Sequence, residues 1–161
     1  MRKIYTFLFG FLLFVGCSKD NNNNNNSEIP ELSATVDNAA WNAFTIDTHI
    51  VFSLPNMDEN FSIFAVTKDG HELSLNIHGA KTGIYKVSQN QNLWAEYQKT
   101  SLNHEIYGSN SGEVNLIVDS LNQEISGTFN LVLKSYLNTS DSIVITNGSF
   151  NNLRYTYLNK K

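Results

Sequence analysis

Four histidines, fifteen acidic side chains and a single cysteine are the groups in this chain that could do chemistry. The histidines are His49, His71, His78 and His104. His71 and His78 are an odd offset apart, so on one strand they point to opposite faces and cannot share a metal ion. Gly108-Ser109-Asn110-Ser111-Gly112 has the outer glycines of a nucleophile elbow, but Asn110 stands where the reaction needs a serine hydroxyl, and the segment reads as a loop. Asp58-Glu59-Asn60 lacks the sharp-turn glycine of a calcium loop. The carboxylates are scattered along polar strand faces, and no spacing pairs two of them for acid–base work. No catalytic residue, metal or cofactor is expected, and the chain reads as non-enzymatic. The aromatics are the better lead. Trp94 and Tyr97 stand among Asn, Gln and Ser, where flat rings beside amides suit a sugar or a peptide. Their competing role is to cap the core.

The lone cysteine has a different chemistry, set by its neighbours. Arg2 and Lys3 precede an apolar run from Ile4 to Val15, and Gly16-Cys17 follows. Charged start, short apolar run and small residue at the cut are the order of a secretory signal peptide. The run is shorter than the roughly 20 residues a spanning helix needs. Phe14-Val15-Gly16-Cys17 resembles the bacterial lipobox, in which the chain is cut before Cys and the thiol carries a diacylglycerol. That resemblance implies a signal peptide over 1–16, lipidation of Cys17 and attachment to a membrane through this anchor. It also implies acylation of the new N-terminus, and several chains hold a protein where one would not. Ser18, not Asp, follows Cys17, so the signal that retains enteric lipoproteins in the inner membrane is missing. Ser18-Lys19-Asp20 resembles the tag that sends some Bacteroidota lipoproteins to the cell surface. The expected location is the outer membrane, with the domain on the cell surface or the periplasmic face.

Residues 17–30 read as a tether. Asn21 to Asn26 form an unbroken asparagine tract that has nothing to bury and cannot repay the entropy of ordering. As a coil it spans about 20 Å, with a taut limit near ~47 Å. Residues 31–161 remain for one domain, long enough to bury a core without disulfides. The formal charge of −4 becomes two units more negative once Arg2 and Lys3 are removed. No basic stripe is left, which argues against nucleic acid as a partner. A protein or glycan partner stays open.

Period two dominates that domain. Leu73, Leu75 and Ile77 alternate with polar residues. Val114, Leu116 and Val118 alternate with Glu113, Asn115 and Asp119, though Ile117 breaks the polar face. Ile125, Gly127, Phe129, Leu131 and Leu133 alternate with Glu124, Ser126, Thr128 and Asn130. Each pattern predicts a half-buried strand. Phe61 to Val66 is apolar on both phases and predicts a more central one. Further strands are expected over 32–37, 41–52, 82–87, 93–99, 142–146 and 148–157, with room for one helical turn within 90–104. Turn chemistry separates them, notably Asp37-Asn38, Ser109 to Gly112 and Asp69-Gly70, the strongest hairpin signal present. The fold class is all-β: a single antiparallel β-sandwich, or alternatively a closed, lipocalin-like barrel, of about 8–10 strands.

Two segments resemble a known group. Ala34-Thr35-Val36-Asp37-Asn38-Ala39-Ala40-Trp41-Asn42-Ala43 is similar to the strand–turn–Trp–strand opening of many small Bacteroidota outer-membrane lipoproteins. Ile125 to Asn130 and Ile145 to Asn152 look like the closing strands of one of their families of unknown function. The resemblance implies an exported, acylated, all-β protein and carries no functional residue beyond Cys17. Asp119-Ser120-Leu121 and Asp141-Ser142-Ile143 match the O-glycosylation pattern of such envelopes, making Ser120 and Ser142 candidate modification sites.

Overall fold

The computed structural model describes residues 31–52, 59–79, 81–87, 92–99 and 105–158. Cys17, the signal peptide and the tether lie outside them, as does His104. The described chain is all-β. In order the strands are β1 (Leu32–Val36), β2 (Ala39–Asn42), β3 (Thr45–Phe52), β4 (Glu59–Val66), β5 (Glu72–His78), β6 (Gly83–Lys86), β7 (Leu93–Gln98), β8 (Ile106–Asp119), β9 (Glu124–Ser135), β10 (Ser142–Arg154) and β11 (Thr156–Leu158). They form one sheet in the order β11-β3-β4-β5-β7-β8-β9-β10-β1-β2, with β6 paired to β8 beside that path. Every pairing is antiparallel except β11 with β3.

Of the two arrangements the period-two pattern left open, the barrel-like one is formed. A sandwich needs two sheets, whereas here one continuous sheet curls into an open half-barrel. Two features curl it. The first is the corner at Ala43-Phe44. The Ala43 amide still donates to Leu32 O of β1, and the next amide, of Phe44, donates to Val66 O of β4. One step along the chain therefore passes from one end of the sheet to the other, and the strand expected over 41–52 is two strands.

The second is bulging in the long strands. β10 buries Ile143 and Ile145, then Gly148 and Phe150, then Leu153, so its inward phase changes twice. The pairing with β9 slips between Ile145 and Gly148 and again between Phe150 and Leu153, where Asn147 and Asn152 adopt φ near +51°. Each extra residue bends the strand and restores the apolar phase. β8 does the same between Ser109 and Ser111, so the segment expected to be a loop is a bulged strand.

Inside the curl lies one apolar core. Leu73, Leu75 and Ile77 of β5 are buried, as are Phe61, Ile63 and Ala65 of β4, Leu116 of β8 and Phe129, Leu131 and Leu133 of β9. Its largest fully buried side chains are Tyr107, Phe61, Phe129 and Phe150. Burying each large apolar side chain contributes about 1.5–3 kcal/mol. On β4 the outward Phe64 is part exposed, so only one phase of that doubly apolar run is core. The Asp69-Gly70 signal is realised too. Gly70 N donates to Thr67 O across the β4–β5 turn, with Gly70 at φ +80°.

Candidate functional site

A cleft of about 640 Å³ opens where the β1–β2 hairpin, the Ala43-Phe44 corner, the β4–β5 turn and the end of β7 converge. The hairpin is built on Asp37 and Asn38, both at positive φ (47° and 66°), the two-residue turn whose twist matches its strands. Asp37 ties it to β10: its amide donates to Val144 O, and its Oδ1 accepts from the Val144 amide at 2.8 Å. Small residues, Ala39, Ala40 and Ala43, line one wall, and Trp41 lies among them. Trp41 is buried, and its indole Nε1–H has no acceptor. A buried donor without a partner costs about 1–3 kcal/mol. Thr48 Oγ1 shares that condition.

His71, Tyr97, Lys68, Lys99 and Phe44 also line the cleft. Phe44 is 69% exposed, with the Lys68 ammonium 5.7 Å from its ring centre. His71 is held by a mutual pair of hydrogen bonds: its amide donates to Thr67 Oγ1 at 3.0 Å and its carbonyl accepts from the Thr67 amide. Its ring stacks on Tyr97, 6.1 Å between centroids, with Nδ1 and the Tyr97 hydroxyl 3.2 Å apart. Burial, helped by the Asp37 carboxylate, pushes the Tyr97 phenol up to about 12. It is therefore a neutral hydrogen-bonding group at any ordinary pH. Behind it, Lys99 Nζ donates to the Tyr107 hydroxyl at 2.7 Å, which donates to Asp141 Oδ2 at 2.7 Å. The bond to Tyr107 holds the Lys99 ammonium above its usual value, and burial raises Tyr107.

These tyrosines predict alkaline sensitivity. Tyr97 is raised in the fold relative to its ordinary 10.0, so the unfolded chain ionises first as pH rises. Stability from this group is full below pH 10 and is lost between pH 10 and about 12. Melting temperature should fall steeply across that window, and the fall should be shallower in Tyr97→Phe. Equal slopes for both proteins would overturn the assignment.

Of the residues singled out in the sequence, Tyr97 is at the cleft and 4% exposed. Trp94 is 39% exposed and faces outward, because an odd offset along β7 puts the two rings on opposite faces. Trp94 instead neighbours Tyr136, which covers Gly108 and donates to Glu96 Oε1 at 3.0 Å. The expected pair of ligand-facing aromatics is thus not brought together. Ser120 is exposed in the β8–β9 turn, where the Asp119 carboxylate accepts from the amides of Leu121 and Asn122. Ser142 is exposed at the start of β10. His78 is exposed, and no cluster of potential metal ligands occurs among the described residues. Sequence reading missed Trp41, Phe44 and His71 as site residues. Their convergence depends on the corner and on pairing across the sheet, which no local pattern reveals.

Residues 28–154 match the family model described as a domain of unknown function, DUF6252. No curated protein and no solved structure matches the chain.

Proposed function

We propose, from the premise that the chain belongs to the DUF6252 family, that it is a lipid-anchored, non-enzymatic binding module whose ligand sits in the cleft. The observation that carries the reading is the cleft itself. It has the size of a small-molecule site, with apolar walls and a few converging polar groups. Trp41 lines it too, with its indole N–H buried and without an acceptor. The remaining groups suit holding a ligand. Tyr97 keeps its proton, and His71 is occupied by Tyr97. Phe61, Tyr107, Phe129 and Phe150 are fully buried in the core, which favours a surface cleft over a carrier with an internal cavity. The anchor rests on the lipobox resemblance at Cys17, with the asparagine tract as spacer between bilayer and domain.

One experiment with two arms tests this. Trp94→Phe leaves Trp41 as the sole tryptophan. Its emission should shift on titration with one class among small sugars, acyl chains and short peptides, and Ala39→Phe should block the shift by filling the cleft. Emission unmoved by every class would sink the binding reading. In cells, Cys17→Ser should abolish labelling by a lipid precursor, and persistent labelling would sink the anchor.

A further inference from the structure

Resting on that reading of the cleft, we infer that its occupant is an extended peptide that adds a strand to the free edge of β2. Residues 39 to 43 line the cleft without a gap. A sheet face lining a cleft would contribute every second residue, because side chains alternate. Consecutive residues line it only when the strand presents its edge. β2 is the end of the sheet order, and among the described residues no strand pairs with its outer side.

The register says which backbone groups are offered. Asp37 and Asn38 form a two-residue turn, so the flanking Val36 and Ala39 are a hydrogen-bonded pair, and bonded pairs alternate from there. Ala34 with Trp41 is the next, and the Ala43 amide donating to Leu32 O at 3.0 Å is the one after. The N–H and C=O of Ala40 and Asn42 therefore point away from β1, toward the cleft. Edge strands are usually guarded by lysine, proline or a bulge. The Ala39-Ala40-Trp41-Asn42 edge is short, at four residues, but carries none of these.

Phe44 selects the occupant's side chains. Phe44 is an exposed ring beside small alanines, and it would receive a bulky apolar residue. At about 3.3 Å per residue, the four positions of β2 pair with a segment roughly 13 Å long. Backbone bonds would supply affinity, and the Phe44 contact would supply the preference for an apolar side chain.

A phage-displayed library of short random peptides, panned on the intact domain, supplies the probe. Enriched peptides should carry a bulky apolar residue, and on binding the amides of Ala40 and Asn42 should gain protection from hydrogen exchange. Ala40→Pro removes one outward donor at an edge where proline is tolerated, and should weaken binding about tenfold or more. N-methylation of the peptide's pairing amide should weaken it likewise, and this decides the matter if Ala40→Pro melts early. Binding lost in Phe44→Ala yet indifferent to Ala40→Pro and N-methylation would overturn strand addition while leaving the cleft reading intact. Binding indifferent to all three changes would overturn both. No enrichment, or a wild-type dimer that Ala40→Pro dissociates, would overturn the peptide as occupant.

Discussion

Leu75→Asp should abolish the cooperative thermal melt, and Asn76→Asp, one residue further along β5, should leave it almost unchanged. Leu75 is fully buried on the inner face, paired with Ile63 of β4 and Ala95 of β7. An aspartate there would be an unpaired polar group in the apolar core, costing several kcal/mol even when protonated, in addition to the lost apolar burial. A domain of this size is stable by only about 5–15 kcal/mol. Asn76 lies on the opposite face, between Ser62 and Trp94, where a change of charge should cost at most about 0.5 kcal/mol. Circular dichroism melts of both variants read the difference directly. Similar shifts for the two would mean that the inward phase of β5 is wrong.

Gly112→Ala should be the most damaging of the glycine substitutions that add only a methyl group, and Gly70→Ala is its control. Both residues have positive φ, +124° at Gly112 and +80° at Gly70. Around Gly70 an added Cβ meets nothing, so the substitution carries backbone strain alone, about 1–2 kcal/mol. At Gly112 the new carbon would overlap the Asn130 carbonyl oxygen and come within 2.8 Å of the Leu131 Cα. Those atoms belong to the backbone of β9 and cannot rotate aside as a side chain would. Strain and collision together should cost about 3 kcal/mol or more. Denaturation midpoints in urea should order as wild type, Gly70→Ala, then Gly112→Ala with the largest drop. Equal drops would show that β9 yields and that the close approach is not a constraint.

The strands legible in the sequence were those whose buried face keeps one phase. β5, the second half of β8 and β9 each hold a largely regular alternation, and the structure buries the residues it selects apart from the half-buried Val118 and Gly127. Where a bulge shifts the phase, the same reading fails. β10 looked like two strands because Asn147 interrupts its alternation, and Asn147-Gly148 carries turn chemistry. Ser109 to Gly112 looked like a loop for the same reason. The choice between sandwich and barrel was not legible at all, since it depends on which distant strands pair. The cleft was legible only at Tyr97. Its other walls come from segments far apart in the chain, and the corner at Ala43-Phe44 that joins them leaves no mark on composition.

The way the first and last strands interlock with the rest of the sheet has a kinetic consequence. β1 finds its partner in β10, with Leu32 opposite Phe150, and the parallel β11 covers the outer edge of β3. Neither early strand can complete its pairing until the last part of the chain is available. Loop closures of this length are entropically costly before any contact repays them, which puts such topologies in the slow range, roughly milliseconds to seconds. Until then β1 and β3 carry open edges, the feature that makes partly folded chains associate with one another. The domain is therefore built to fold late and all at once, and its competing reaction is aggregation of the incomplete chain.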